Sequence, residues 1–333
     1  MQTPIDESTS EKPILSVIMP TYNRHEILHK VLDALNQQVN VDFDAFEVIV
    51  VDDCSTDRTK ETLAAFTPEA LFAFRYHTLE TNGGPARARN VALEMVKGEI
   101  VLIIGDDIVP EPDLLQQHLA WHLKHPSHTD AVLGYITWPA QMHVTPFMRW
   151  LETGGKQYFF NYPQLCEDEP VDPIFFYTCN VSVKRQLIER AGGFDESFPY
   201  ASHEDLEFGY RLQAVGMRLY YRRSAVGYHW HPLSLKGVAR RMYLMGHSSI
   251  LFWQKAPDRA SLIRRSIRVV IREIMGYVPV LSIVRLLISN DVDHDDKTRP
   301  VSWRLLLALC FWRGMYDGCH GVLPQLFVRE MKL

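Results

Sequence analysis

Two adjacent carboxylates, Asp106 and Asp107, follow an unbroken apolar run, Ile100–Ile104. Side by side they repel unless something neutralises them, and hard oxygen ligands of this kind suit Mg2+ or Mn2+. Such an ion usually keeps waters and takes diphosphate oxygens as further ligands. The same pair also reads as a solvated turn before a helix near Pro112. Asp52 and Asp53 follow a second apolar run in Val-Asp-Asp-Cys-Ser-Thr-Asp. A carboxylate there can accept a ring N–H from a pyrimidine base, while Ser55 or Asp57 suits a helix cap. Arg87 and Arg89 come after Gly83-Gly84, where a helix N-terminus and guanidinium groups form an anion site or simply an exposed helix face. Glu204-Asp205 opens another helical pattern. It offers a general base for a hydroxyl, or acids placed favourably in a first turn. His229 and His231, two apart around Trp230, share one face if they lie on a strand. A neutral imidazole there can ligate a metal or be structural.

These groups need a scaffold. Ile14–Met19, Phe46–Val51, Phe72–His77 and Ile100–Ile104 have the length and composition of buried strands. Between them, Leu28, Val31, Leu32 and Leu35 predict a helix within His25–Gln38, and a short helix follows over Asp57–Phe66. Ala88, Val91, Ala92 and Met95 predict a third, with Pro85 in its first turn and Gly98 as its C-terminal cap. Strands alternating with helices mean a mostly parallel sheet covered on both faces, which binds ligands beyond the carboxyl ends of its strands. Thr21–Arg24, Asp52–Asp57 and Asp106–Asp107 all sit at such ends. Further helices are expected over Lys184–Ala191 and Glu204–Val215. Loops rich in aromatics and proline, Trp138–Tyr162 and Pro170–Phe176, suggest a substrate-facing second half.

With 333 residues, 47% apolar and 23% charged, the chain has ordinary globular composition. That excludes a disordered protein, a fibrous repeat and a disulfide miniprotein. The net charge of −5 argues against a protein built to hold nucleic acid, although Arg259–Leu333 carries 12 basic residues against 7 acidic. Five scattered cysteines without C-x-x-C predict reduced, buried thiols. Met1–Lys12 is polar and acidic and lacks the features of a signal peptide, so a cytoplasmic location is expected. The longest uncharged run of the apolar tail, Ile274–Val284, is shorter than the roughly 20 residues of a spanning helix. Ile263, Ile267, Val270, Ile271 and Ile274 form a helical stripe beside Arg264, Arg268 and Arg272, and Leu305–Trp312 adds a second apolar run. This tail reads either as a peripheral anchor on the inner face of the plasma membrane or as helices packed on the catalytic domain.

Taken in order, Ser16–Arg24, Val50–Asp57, Asn82–Asn90, Gly98–Ile100 leading into Asp106-Asp107, Asn180–Arg185, Gly192–Phe198 and Glu204-Asp205 resemble the family 2 glycosyltransferases, over roughly Pro13–Trp253. The resemblance implies an inverting enzyme of GT-A fold: an α/β protein whose mostly parallel central sheet is flanked by helices. Residues 14–130 would form a Rossmann-like nucleotide-sugar half and 131–255 the acceptor and catalytic half. Residues 1–13 would be a flexible leader and 256–333 a helical, amphipathic extension. It implies that Thr21 and Asp53 hold the base with Tyr22 beside it, that Pro20 belongs to the same nucleotide-sugar site, that Arg89 lies near the nucleotide or its phosphates, and that Asp106 faces ribose or metal. Asp107 would be the chief ligand of Mn2+ or Mg2+, with His229 joining it and His231 as runner-up. Asn180 would line the sugar or acceptor pocket, and Asp205, beside Glu204, would be the catalytic base. The donor would be a nucleotide sugar, with UDP favoured, and the acceptor a glycan or lipid-linked glycan. One position departs from the family's D-x-D pattern: its first residue is Gly105 here. A catalytically decayed sugar-nucleotide-binding or scaffold protein of the same fold is the alternative. A receiver-like phosphotransfer domain leaves Asn180–His231 unexplained.

Overall fold

The computed structural model describes residues 12–153, 162–167, 169–198, 200, 202–255, 283, 286 and 300–325. Strands β1 (Leu15–Thr21), β2 (Phe46–Asp52), β3 (Ala73–Thr78) and β4 (Ile100–Ile104) alternate with helices α1 (His25–Asn36), α2 (Thr59–Phe66) and α3 (Gly84–Met95). There follow β5 (Ile108–Pro110), α4 (Leu114–Lys124), β6 (Asp130–Thr137), α5 (Pro146–Thr153), β7 (Asn180–Lys184), α6 (Arg185–Ala191), α7 (Glu204–Ala214), β8 (Arg218–His229), α8 (Leu235–Lys255) and α9 (Pro300–Cys319).

One eight-stranded sheet, in the order β3-β2-β1-β4-β7-β6-β8-β5, runs through both expected halves. Its first four strands are parallel, as their alternation with helices requires. Every residue of β2 and β4 is buried, which explains why both read as continuous apolar runs. Beyond β4 the sheet is mixed. β7 is antiparallel to both β4 and β6, and β5 is antiparallel to β8. Two reversals restore direction, so β6 and β8 again point the same way as β4.

The stripe Leu28, Val31, Leu32 and Leu35 of α1 is buried as its spacing predicts. α3 ends at Met95 in an extended Val96 rather than at a glycine cap. Gly98 instead lies against β1, its N–H donating to Ser16 Oγ at 2.9 Å. Of the five cysteines expected to be buried, Cys310 alone is fully buried, Cys54 and Cys179 are half-buried, and Cys166 and Cys319 are exposed.

A second core joins α5, α8 and α9 through Phe147, Trp150, Met242, Tyr243, Trp303 and Leu307. Two glycines let the backbones of α8 and α9 touch. A Cβ at Gly246 would collide with the Phe311 carbonyl, and one at Gly314 with the Tyr243 carbonyl. The contact is locked by Asp317, fully buried, which accepts from Tyr243 Oη at 2.8 Å and Arg313 Nε at 2.9 Å. The run Leu305–Trp312 is therefore largely an internal packing surface, with Leu306, Leu307 and Cys310 buried. The stripe from Ile263 to Ile274 lies outside the described residues. Among those described, no helix is long and apolar enough to cross a membrane.

Candidate active site

The carboxyl ends of β1, β2, β4 and β8 and the amino end of antiparallel β7 meet on one edge of the sheet. Thr21 ends β1 directly beside Asp52 of β2, and Asp53 N–H donates to the Thr21 carbonyl at 2.9 Å. Asp52 is fully buried and accepts from Ser55 N–H at 3.0 Å, which shapes the turn. Asp53 Oδ1 and Oδ2 accept from the N–H groups of Gly83 and Gly84, each at 2.7 Å. Its carboxylate thus holds the loop that starts α3. Asn23, in the left-handed region at φ +54°, accepts from Thr56 N–H at 2.8 Å and links the β1 and β2 loops. Tyr22 stands 45% exposed beside them, its ring open for stacking, and Pro20 is half-buried.

Gly105-Asp106-Asp107 follows β4. The short β5 begins right after it and pairs Ile108 with His229, and Trp230 N–H donates to the Asp107 carbonyl at 2.8 Å. That pairing brings a histidine 122 positions away to within 3.6 Å of Asp107, measured Nε2 to Oδ2. Arg24 Nη2 lies 3.7 Å from the same oxygen. Arg24 Nη1 is 3.0 Å from His231 Nδ1. A guanidinium can only donate, so His231 accepts on Nδ1. Burial pulls the His229 pKa down to about 4 against the pull of Asp107, leaving a neutral imidazole. Burial, then repulsion from Asp107, pushes Asp106 well up, opposed by Arg24, Thr21 and the Tyr22 N–H. A Cβ on Gly105 would lie 3.2 Å from Asp107 Oδ1, so a larger residue there would press on that carboxylate.

Across the site, α7 starts with Glu204 and Asp205. Glu204 is buried and pairs with Arg89 Nη1 at 2.8 Å, with the Arg89 guanidinium 5.2 Å over the Phe194 ring. Arg89 is thus committed to Glu204 at the α3–α7 contact, where the sequence reading puts it near phosphates. Asp205 is half-buried, and its Oδ1 accepts from Leu206 N–H at 2.8 Å. Burial and then Glu204 push its pKa up to about 6, against Arg89, that N–H and Arg241. Burial drives the Cys179 thiol pKa far up, and Asp107 and Asp205 both add to the shift.

The structure therefore gathers Asp106, Asp107, His229, His231 and Asp205, with Thr21, Tyr22 and Asp53 at the neighbouring strand ends. Asn180 stands apart. Expected to line the sugar or acceptor pocket, its side chain is fully buried, donating to the Ala225 carbonyl at 2.9 Å and bonded to His118 Nε2 at 2.9 Å. His118 and His122 on α4 also reach Ser182 Oγ, each at 2.8 Å, so this polar stretch of β7 is core. Sequence reasoning missed Cys179, Trp138, whose ring is 5.3 Å from His229, and Arg241 of α8, whose charge reaches Asp205, His229 and Cys179. Arg24 stood inside the Thr21–Arg24 cluster and was findable; Arg241 sits in a helix with no local signal.

Residues 16–181 match the model of glycosyl transferase family 2, and residues 100–316 that of glycosyl transferase family group 2. The chain belongs to the family 2 glycosyltransferases. It is 32% identical to a validoxylamine A glucosyltransferase of Streptomyces hygroscopicus subsp. limoneus over 67% of this chain and 53% of that protein. It is 39% identical to the poly(ribitol-phosphate) beta-N-acetylglucosaminyltransferase TarS of Staphylococcus aureus over 35% of this chain and 20% of that one. The chain spans about half the length of the validoxylamine relatives it matches. In fold it is similar to the mannosyltransferase PcManGT of Pyrobaculum calidifontis in complex with GDP-Man and Mn2+, with TM-score 0.58, 20% identity and coverage of 96% and 91%. It is also similar to S. aureus TarS 1-349 with UDP, with TM-score 0.54, 21% identity and coverage of 92% and 91%. The fold is of GT-A type, its mixed sheet followed by C-terminal helices.

Proposed function

We propose that this protein is an inverting glycosyltransferase that moves a sugar from a nucleotide sugar, a UDP-sugar, to a hydroxyl of a glycan or lipid-linked glycan. Residues 14–130 supply the donor half, where Tyr22, Thr21 and Asp53 take the base, and residues 131–255 the acceptor half. The observation that carries this reading is the cluster at the strand ends, where His229 Nε2 and Arg24 Nη2 lie 3.6 and 3.7 Å from Asp107 Oδ2, with Asp205 near enough that it and Asp107 both act on the Cys179 thiol.

Asp205 is the general base. A carboxyl held near 6 by burial is unprotonated at neutral pH, yet basic enough to draw a proton from the acceptor hydroxyl as it attacks. Attack from the face opposite the nucleotide inverts the anomeric carbon in a single displacement. The proton passes to Asp205 and the electron pair leaves with the diphosphate. Arg24 and Arg241 are the cations placed to meet that charge.

Mn2+ or Mg2+ fits this site. Asp107 and the neutral imidazole of His229 face each other at 3.6 Å, Oδ2 to Nε2, and Asp106 is adjacent. Among the described residues no three such side chains form a complete cage. Hard cations in nucleotide enzymes commonly take one or two protein ligands and complete their shell with water and phosphate. When bound, the ion supplies Lewis-acid neutralisation of the diphosphate. TarS in complex with UDP and with UDP-GlcNAc supports a uridine donor, and the PcManGT complex supports the metal. A thermal-shift screen of UDP- and GDP-sugars with and without Mn2+, followed by product analysis of the hit, tests the reading. Metal-dependent stabilisation by a nucleotide sugar and an inverted product are expected; stabilisation by none overturns it.

A further inference from the structure

His203, directly before the Glu204-Asp205 pair, has φ +68° and ψ −11°, a left-handed conformation uncommon for any residue with a side chain. Glycine would adopt it without strain. The histidine ring reaches α8 instead. Nδ1 is 3.1 Å from Ser248 Oγ and 3.0 Å from Ser202 Oγ, Nε2 is 3.3 Å from Ser249 Oγ, and the ring lies 5.5 Å from Phe252. Both α8 serines are buried, at 2% and 1% exposure.

The protons can be followed through this cluster. Ser249 Oγ donates to the Met245 carbonyl at 2.8 Å, so it accepts from Nε2–H of His203. The Ser248 hydroxyl has Ser202 Oγ at 3.1 Å and the Met245 carbonyl at 3.3 Å as acceptors, and the Ser202 hydroxyl, 3.0 Å from Nδ1, supplies the proton that Nδ1 accepts. One ring nitrogen gives a proton and the other takes one, as a neutral imidazole requires. Burial keeps the ring neutral, its pKa pulled down to about 4.

We infer that His203 is a positioning residue that ties the first turn of α7 to α8 and so fixes the Asp205 carboxyl, while the Arg89–Glu204 pair fixes the same turn from α3. The helix starts from this residue: Glu207 N–H donates to the His203 carbonyl at 2.8 Å. Asp205 stands two residues on, between a pin to α3 and a pin to α8. Ser248 and Ser249 follow Gly246, where α8 presses on α9, so the base is referenced to the second core as well as to the sheet. The inference rests on the proposed role of Asp205.

The test compares His203→Gly, the pair Ser248→Ala/Ser249→Ala, the triple variant and Asp205→Asn in the full chain. Readouts are hydrogen exchange over residues 204–208, melting temperature, UDP binding with Mn2+, and kcat and KM for UDP-glucose hydrolysis with Mn2+. The glycine relieves strain, so melting should stay near wild type while exchange over 204–208 speeds up about tenfold. UDP affinity and KM should hold while kcat falls about 10²-fold, the cost of a base displaced by roughly an ångström. The serine pair should reproduce the loss and the triple variant add little to it. Wild-type exchange and kcat in His203→Gly overturn the inference, as do fully additive losses in the triple variant. If Asp205→Asn turns over like wild type, the base assignment fails, and the exchange data still judge the tether. If wild type does not hydrolyse UDP-glucose, exchange alone decides.

Discussion

At the end of β2, the Asp53 carboxylate receives two backbone N–H groups, one on each oxygen, at 2.7 Å. At the start of α7, the Asp205 carboxyl receives one N–H, has Glu204 beside it and is pushed up to about 6. The first carboxylate is matched by donors that favour its charge, so it serves shape: it holds a loop and presents a fixed edge. The second accepts a single N–H, and burial together with Glu204 makes it easier to protonate, the property the proposed base needs. One carboxylate follows a strand and is satisfied by backbone donors; the other opens a helix and is raised by its surroundings.

The largest effect should come from removing the poised group. Asp205→Asn should lower kcat by about 10²–10⁴-fold with donor affinity retained, measured by initial rates beside calorimetric UDP binding. Undiminished turnover would show that the contrast has no catalytic meaning. Breaking the pin on α3 should act on stability. Glu204→Ala leaves the buried Arg89 unpaired and should cost about 3–5 kcal/mol in urea unfolding. At the end of β2, Asp53→Asn keeps an acceptor for one glycine N–H and sets its amide N–H2 against the other. It should cost about 1–3 kcal/mol and raise the donor KM, leaving kcat at saturation nearly unchanged.

The pH dependence sharpens the contrast further. As a base, Asp205 must be unprotonated, so kcat should rise with pH through an acid limb near 6. Glu204→Gln removes a group that raises Asp205, so the limb should move to lower pH in the pH–rate profile. The smallest effect concerns the core. His118 is held at about 4 by burial and His122 well below its usual value, so the folded chain binds fewer protons than the unfolded one. Their stabilising contribution is complete above about pH 6.5 and is lost as pH falls towards 4. Asp106 and Asp205, raised in the fold, slope the other way, so the measurement is the difference between wild type and His118→Asn. The variant should show the shallower acid loss in urea midpoints taken from pH 7 to pH 4.5.

β1, β2 and β4 and the polar residues after them were legible because each is a buried, mainly apolar run closed by polar residues, whereas β3, Ala-Phe-Arg-Tyr-His-Thr, is only partly buried. The later strands were not. β7 reads Asn-Val-Ser-Val-Lys, and its polar members look like ligands until His118 and His122, some 60 positions earlier in the chain, are seen to satisfy them from α4. Arg89 sits on a helix face that spacing alone would leave in solvent, and its burial depends on Glu204, 115 residues away. The left-handed turn at His203 has no signature in composition, since its meaning lies in two serines of a distant helix.

The ladder between β4 and β7 pairs Ile100 through Ile104 with Lys184 through Asn180, in the middle of the sheet. Those five rungs join the first four strands to the later ones through main-chain bonds. A hinge at that seam would have to break main-chain bonds, so any opening and closing of the site falls to the loops along the rim of the sheet.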